Sequence, residues 1–308
     1  MWGKHTSDLF IASLLAFSAL TTITSQPSTI LAQTSDLCGS TISSDVELTA
    51  DITCEGDGIR VGGDNLTVNL NGFTLRGSGD DTNTTAIIVD GASGVIIKGP
   101  GMVTGFGTGV AYMDARGGAM SDVYVGTNDI GVQLDSTTGT HIRHDYIADS
   151  RIGVFNRASD NTVVEEVQMN DNDEGIRLEK STGVDIDFNI IMDGLTALYL
   201  DEESLDNAIF YNIMFRNEVS DMNFASGEGI DAGNLLGYNE CTQGIPADVC
   251  LGRVLPSGEL LTGSKEHGEG IERVIQTQPE DLSPEEEQTA KALRERIIAG
   301  GSQNQTNT

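Results

Sequence analysis

Hydrophobic and polar positions repeat with a fixed period through the middle of the chain. A glycine followed by an aliphatic residue recurs every 22 residues, at Gly109-Val110, Gly131-Val132, Gly153-Val154 and Gly175-Ile176, and Ala197-Leu198 continues the series. Within each unit hydrophobic and polar residues alternate with period two, which indicates a strand with one buried face. A fixed period of this length predicts one structural unit that is stacked repeatedly.

Turn residues separate the strands of each unit. Asp, Asn and Gly cluster between short hydrophobic runs, for example at Asn172-Asp173 and Asp193-Gly194. No apolar stripe of helical period runs through these units, so a helical repeat is excluded. The register extends outward to Ile59 and Met222 and gives about eight units. We therefore predict an all-β parallel β-helix solenoid of about eight coils of ~22 residues, followed by a C-terminal helix.

Stacking buries what a single unit would leave exposed. Successive units are expected to pair as parallel strands roughly 4.8 Å apart. Two inward columns follow from the period: Val110/Val132/Val154/Ile176/Leu198 and Tyr112/Leu134/Asn156/Leu178/Leu200. The amide of Asn156 needs a backbone partner inside the core, unless the strand bulges at this position. A third column, Asp145/Val167/Asn189/Asn212, half resembles an asparagine ladder.

The N-terminal segment has the pattern of an export signal. Lys4 precedes an apolar run from Leu9 to Leu20 that is too short to span a bilayer. Small and polar residues follow as far as Ala32, so we interpret residues 1–32 as a secretory signal peptide. No later stretch is long and apolar enough to predict a membrane span. The protein is therefore expected to be secreted, periplasmic or attached to the cell surface.

The C-terminal segment departs from the repeat. We assign residues 33–250 to the β-helix and the polar residues 251–283 to a linker. Residues 284–308 are predicted to form a tail helix and a disordered end, because Pro284 stands in a first helical turn followed by acidic residues and Gly300 stops the helix. This helix is either a solvated tail or a docking element for a partner or for the last coil.

The four cysteines form two local pairs, Cys38/Cys54 and Cys241/Cys250. An even number of cysteines in an exported chain indicates disulfides, and these pairs bracket the repeats as end staples. A redox or zinc site is disfavoured because neither pair is CxxC. The first disulfide would stabilise the fold by about 3 kcal/mol through loop closure.

The charge of the chain restricts its partners. The sequence has 17 Lys and Arg against 47 Asp and Glu, a formal net charge of −30 at pH 7. Such a surface repels nucleic-acid phosphates and anionic membranes, so neither is an expected partner. Cations and neutral or basic partners are favoured.

Several segments resemble a known architecture. They are the 22-residue repeat, the entry segment Cys38-Gly39 with Leu48 to Cys54, then Gly58-Ile59 and Val68 to Leu75. With these segments the chain resembles right-handed parallel β-helix proteins of the pectin-lyase-like superfamily with NosD-like short repeats, over about residues 37–245. The resemblance implies a right-handed coil but no single activity, because this architecture hosts lyases, hydrolases, epimerases, adhesins and inert shafts. It also hints at copper handling, although three mature histidines and scattered methionines form no cluster.

An outward face of the first strand offers a binding surface. Its predicted ligand-binding residues stand in two columns: Gln133, Phe155, Arg177 and Tyr199 in one, and Asp135, Arg157 and Glu179 in the next. The aromatic rings could stack on sugar rings while the polar groups bond hydroxyls. Alternatively, the charges of Asp135, Arg157 and Glu179 only stabilise the stack as cross-strand pairs.

A column of aspartates could hold calcium. Asp149, Asp171 and Asp193 are 22 residues apart, and Asp173 lies in the same turn. Stacked like charges need neutralising, which calcium would do through carboxylate oxygens. Arg151 and Arg216 could do the same, or Asp could simply be a favourable turn residue. Calcium is thus the one cofactor that the sequence suggests.

A short segment gathers acid, base and cation. His141, Arg143 and Asp145 could serve a polysaccharide lyase or C5-epimerase, which needs a base for a sugar proton and a cation against the uronate carboxylate. Arg143 also stacks under Glu165, which would make an ordinary ion pair. The motifs of pectate lyases, polygalacturonases and alginate epimerases are not found in the sequence.

We therefore expect an exported or cell-surface β-helix protein that binds polysaccharide or cell-envelope glycan without catalysis, or acts as a scaffold. A lyase or epimerase acting on a uronate-containing polymer is the alternative, and a glycoside hydrolase is the other class of enzyme that we consider. A strongly acidic rod needs bridging cations to meet an anionic polymer, which weighs against that alternative.

Overall fold

A computed structural model describes residues 30–31, 37–79, 83–225, 233–246 and 249–251 of the chain. Among these residues, 26 strands form two parallel sheets, a 16-stranded sheet A and a ten-stranded sheet B. The strands of sheet B are β2 (Ser40–Ile42), β5 (Ile59–Val61), β8 (Thr85–Asp90), β10 (Thr108–Met113), β12 (Ile130–Asp135), β15 (Ile152–Arg157), β18 (Glu174–Glu179), β21 (Thr196–Leu200), β24 (Ser220–Phe224) and β26 (Gly244–Ile245).

Sheet A runs along the remaining sides of the coil. Its strands are β1 (Ile30–Leu31), β3 (Val46–Glu47), β4 (Ile52–Thr53), β6 (Thr67–Asn69), β7 (Thr74–Arg76), β9 (Ile96–Thr104), β11 (Ala119–Gly126), β13 (His141–Arg143), β14 (Tyr146–Ala148), β16 (Val163–Glu165), β17 (Gln168–Asn170), β19 (Asp185–Asp187), β20 (Ile190–Met192), β22 (Ala208–Phe210), β23 (Ile213–Phe215) and β25 (Leu235–Gly237). From β13 onward each turn of the coil contributes two short strands to this sheet up to β23. A 3-10 helix, Val249–Leu251, follows the last strand.

The chain is an all-β parallel β-helix of about nine turns, as the ten successive strands of sheet B require. The sequence predicts about eight coils. The difference lies at the ends, where Ser40 pairs with Ile59 and Met222 pairs with Gly244. Ser40 and Gly244 stand in register with the leading hydrophobic residues but are not hydrophobic themselves, so the repeat pattern does not reveal the terminal turns.

The predicted inward columns are confirmed. Val110, Val132 and Val154 are in direct register and fully buried, and the second column continues from Tyr112 through Leu134. Asn156 stays in register with its neighbours in this column, so the strand does not bulge there. Its side-chain oxygen instead accepts a hydrogen bond from the Ser181 hydroxyl at 3.3 Å. The Nδ2 group of Asn156 has no hydrogen-bond partner among the described residues, so this buried amide is satisfied only at its oxygen.

The repeated glycines are required by the close approach of neighbouring turns. A Cβ atom on Gly131 would lie 2.6 Å from the carbonyl oxygen of Gly153, and a Cβ on Gly153 would lie 2.6 Å from that of Gly175. Real side chains essentially never approach a backbone oxygen this closely. The glycine of each repeat is therefore a packing requirement.

The asparagine ladder is confirmed, and it extends beyond the predicted residues. The backbone N–H of Val167 donates to Asn189 Oδ1 at 3.0 Å, that of Asn189 to Asn212 Oδ1 at 3.0 Å, and that of Asn212 to Asn239 Oδ1 at 3.1 Å. Each side chain thus replaces a strand hydrogen bond at a corner where the two short strands of sheet A separate. Asn189 Nδ2 also donates to the carbonyl oxygen of Val164 at 2.8 Å, which satisfies the buried amide.

Both predicted disulfides are present, and each closes one end of the described solenoid. Their Cα–Cα distances are 5.5 Å for Cys38–Cys54 and 5.4 Å for Cys241–Cys250. The disulfides fit an exported protein.

The remaining predictions for the two ends fall largely outside the described residues. Of the predicted signal peptide, only Ile30–Leu31 is described, and this strand pairs in parallel with Val46–Glu47. The linker, apart from Leu251, and the tail helix lie outside the described residues. Within the described ranges there is no helix of the length and hydrophobicity that crossing a membrane requires.

Candidate functional site

The predicted binding residues form one continuous strip on the outer face of sheet B. Gln133, Phe155, Arg177 and Tyr199 are in direct register on β12, β15, β18 and β21. Asp135, Arg157 and Glu179 form the adjacent column in the same register. We call these seven residues, with Glu174, the sheet B strip. All are half-buried except Arg157, which is exposed, so the strip is a surface of packed but accessible side chains.

Arg177 lies at the centre of the strip between two carboxylates. It donates to Glu174 at 2.9 Å and to Glu179 at 2.7 Å. Its guanidinium carbon also lies 4.5 Å from the centroid of the Tyr199 ring, within cation–π range. Burial acts to lower the pKa of Arg177, but the hydrogen bonds that Arg177 donates to both glutamates raise it overall. The sequence does not reveal this arrangement, because the partners lie along the same strand as well as across strands.

Arg157 is paired in a similar way. It forms an ion pair with Asp135, the residue in register on the previous strand, and this hydrogen bond raises the pKa of the guanidinium. The guanidinium carbon lies 5.8 Å from the Phe155 ring centroid. The cross-strand pairing of Arg157 is therefore real. It does not exclude binding, because Phe155 and Gln133 stand in the neighbouring column.

The structure separates the three candidate catalytic residues. His141 and Arg143 point outward on β13 and are exposed, whereas Asp145 is fully buried. Asp145 Oδ1 accepts the backbone N–H of Val123 at 2.8 Å, so this carboxyl occupies a ladder position of the corner. Asp145 therefore does not share a surface with His141 and Arg143. The expected stacking of Arg143 on Glu165 is present in the strand register.

Burial changes the protonation of Asp145. It raises the pKa of this carboxyl well above its usual value of 3.8, against the hydrogen bond from Val123, and Asp122 adds to the increase. Among the described residues, Oδ2 of Asp145 has no hydrogen-bond partner. A neutral carboxylic acid is what an apolar interior favours at such a position.

The aspartates of the predicted calcium column are explained by backbone conformation and, for one of them, by an ion pair. Asp149, Asp171 and Asp193 have φ angles of 53°, 55° and 61°, a left-handed conformation that Asp tolerates better than most residues. Arg216 donates to both carboxylate oxygens of Asp193, at 2.7 and 2.6 Å. Asp173 is exposed in the adjacent turn. Arginine thus neutralises one end of the column, as the sequence allows.

Arg151 neutralises a second aspartate of this region. It donates to both carboxylate oxygens of Asp129, at 2.7 and 3.0 Å. The hydrogen bond from Arg151 lowers the pKa of Asp129. Within the part of the chain that the structure describes, no group of three or more His, Cys, Asp or Glu is arranged to hold a metal ion. The calcium site stays a prediction without a preformed cluster in this part.

Sequence reasoning missed a second group of acids, on sheet A. Asp187 is in register with Glu165 on the previous turn and lies two residues from Asp185 on the same strand. Burial, with the charge of Asp185, raises the pKa of Asp187 to about 8. The alternation of β19 places both aspartates on one face, but the sequence gives no signal for how deeply Asp187 is buried.

Solved structures with similar architecture have low identity to this chain. They include DFA-IIIase from Arthrobacter chlorophenolicus A6 in complex with GF2 (12% identity, TM-score 0.45, 64% of this chain and 60% of that chain). The periplasmic alginate epimerase AlgG is similar over 60% of this chain and 47% of that chain (16% identity, TM-score 0.43). Tailspike protein 2 of Bacteriophage CBA120 is similar over 58% and 37% (13% identity, TM-score 0.41). The chain therefore spans less than two thirds of each of these proteins, and the similarities carry no argument about its activity.

Sequence comparison identifies one family. No curated protein matches the chain. The family described as periplasmic copper-binding protein (NosD) matches residues 38–230. Copper prefers imidazole and sulfur ligands, but the described histidines, His141 and His144, are both exposed, and His144 pairs with Glu166. The described cysteines are all in disulfides, and among the described residues no group of three or more His, Cys, Asp or Glu is placed to hold a metal ion.

The matched residues cover more than half of the chain and coincide with the parallel β-helix. The chain therefore belongs to the NosD family of periplasmic β-helix proteins and is an exported, periplasmic or surface protein.

Proposed function

We propose that this protein binds polysaccharide or cell-envelope glycan without catalysis, along the sheet B strip. The observation that carries the proposal is the register of Phe155 and Tyr199 with Gln133 and Arg177 on one outer face of a continuous parallel sheet. Four neighbouring strands at ~4.8 Å spacing present this column along the rod. A linear polymer lying parallel to the rod could contact all four side chains.

The chemistry of the strip suits sugars. The apolar faces of sugar rings pack on aromatic rings, and sugar hydroxyls donate hydrogen bonds to carboxylates such as Asp135 and Glu179. Gln133 offers both a donor and an acceptor. The candidate catalytic residues lie elsewhere, on sheet A. Asp145 is buried whereas His141 and Arg143 are exposed, so the three side chains do not share one surface for catalysis.

Loss of the aromatic side chains tests this proposal. Phe155→Ala and Tyr199→Ala are expected to weaken the retention of the full exported chain on immobilised glycan at least about tenfold, which is about 1.4 kcal/mol of binding energy. Tyr124→Ala is the matched control, because Tyr124 is a half-buried aromatic residue on sheet A. Unchanged retention in both strip variants would contradict the proposal.

A turnover assay separates binding from catalysis. The protein would be incubated with neutral and acidic polysaccharides while unsaturated sugars and reducing ends are followed. We expect no product. Product that disappears in a His141→Ala variant would instead support the lyase or epimerase alternative, and complete absence of glycan binding would favour a scaffold.

A further inference from the structure

We propose that the sheet B strip selects neutral polysaccharide over polyuronate, with Phe155 as its main stacking platform. This inference rests on the proposed function, because it names the class of polymer that the same strip would bind. It is carried by the way in which the two arginines of the strip are already engaged by the protein.

Both positive side chains of the strip are paired with carboxylates. Arg177 contacts Glu174 at 2.9 Å and Glu179 at 2.7 Å, and Arg157 contacts Asp135. Two cations therefore face three anions. A uronate carboxylate approaching this surface would have to displace a protein carboxylate from an arginine, and it would meet repulsion from the others. Neutral hydroxyls do not have this cost, because they donate to the same carboxylate oxygens.

The two aromatic rings are not equally available. The Arg177 guanidinium lies 4.5 Å from the Tyr199 ring centroid and is held there by two glutamates, so one face of this ring is occupied. The Arg157 guanidinium lies farther from the Phe155 ring, at 5.8 Å, and its side chain is 46% exposed. Phe155 is therefore the more open platform for a sugar ring.

The selectivity is tested by comparing polymers on one surface. The full exported chain would be titrated with soluble hydroxyethyl cellulose and dextran as neutral probes, and with polygalacturonate and alginate as anionic probes, at low and high salt without added calcium. At least one neutral probe is expected to bind, with affinity that is nearly independent of salt. The polyuronates are expected to bind at least about tenfold more weakly than that probe.

Charge-neutral variants test the reason for the selectivity. The double variant Glu174→Gln and Glu179→Gln frees Arg177 and is expected to raise the affinity for polygalacturonate several-fold, in a manner that salt reverses. Asp193→Asn together with Glu166→Gln is the matched control, since it removes two carboxylates beside sheet A and frees Arg216 and His144 from their ion pairs away from the strip. Phe155→Ala should weaken binding of the neutral probe more than Tyr199→Ala does.

The possible failures are distinguishable. If no probe binds, the proposed function fails, and the selectivity fails with it. If a polyuronate binds more tightly than the neutral probes and Phe155→Ala weakens that binding, the strip is a glycan site but the inference of neutral selectivity is wrong. If the control variant gains polygalacturonate affinity as much as the Glu174/Glu179 variant, total charge governs binding and the inference is also wrong.

Discussion

Asp145 stands where a neutral amide would suit the structure better than a carboxyl. It lies in the ladder column at a corner of the coil, fully buried, with Oδ1 accepting from Val123. Asn189 is equivalent on a later turn, and its Nδ2 group donates to the carbonyl oxygen of Val164. An amide at position 145 could donate in the same way to the carbonyl oxygen of Met120, which is in strand register two turns before Val164.

We expect Asp145→Asn to stabilise the protein at neutral pH. Burial raises the pKa of Asp145 in the folded state above its usual 3.8, so the folded chain holds this proton more tightly than the unfolded chain. The contribution of Asp145 to the free energy of unfolding should therefore fall as the pH rises above about 3.8. Urea unfolding between pH 4 and pH 8 should give a difference between variant and wild type that grows with pH.

An exposed aspartate provides the control for this pH dependence. Asp149→Asn removes one carboxylate from the solvent side of the same region, and Asn tolerates the left-handed φ of 53° at that position. This variant should show little change in pH dependence. Equal slopes for the wild type and Asp145→Asn would mean that Asp145 is not held neutral by burial.

In each repeat, one glycine allows the strands of neighbouring turns to approach closely. We expect Gly153→Ala to lower the free energy of unfolding by about 1–3 kcal/mol, because its Cβ atom would lie 2.6 Å from the Gly175 carbonyl oxygen and the strands would have to move apart. Chemical denaturation measures this change. Gly56→Ala is the control, since a Cβ there meets nothing within 4 Å, and comparable losses in both would contradict the packing explanation.

The strands could be predicted because the period of the central repeats is constant. Val110 and Val132 are both buried and in register, as the 22-residue spacing requires. Only part of the asparagine ladder could be predicted from the sequence. Val167 supplies a backbone N–H but no side-chain oxygen, and Asn239 lies beyond the regular spacing.

The candidate site was predictable as a column but not as a set of contacts. The period predicts that Phe155 and Arg177 share an outer face. It cannot predict that Arg177 turns back to Glu174 on its own strand, because that choice depends on rotamers and local burial. The burial of Asp145 was missed for a similar reason, since a polar residue at a corner can point to either side.

The whole molecule carries far more negative than positive charge. Its formal net charge of −30 at pH 7 implies self-repulsion that the described ion pairs offset only in part. We expect the midpoint of thermal unfolding to rise as sodium chloride is increased from about 0.01 to about 0.5 M, because salt screens the repulsion between exposed like charges. A midpoint that falls with salt would indicate that the ion pairs outweigh the repulsion.

Because the register of sheet B is constant, the number of turns sets the length of the strip. Each turn contacts its neighbours through the same spacing, and Gln133 to Tyr199 spans three such steps. Duplication or loss of one 22-residue unit would lengthen or shorten this surface by about 4.8 Å without changing the fold of the rest. The length of polymer that the protein contacts could therefore change in evolution in steps of one repeat.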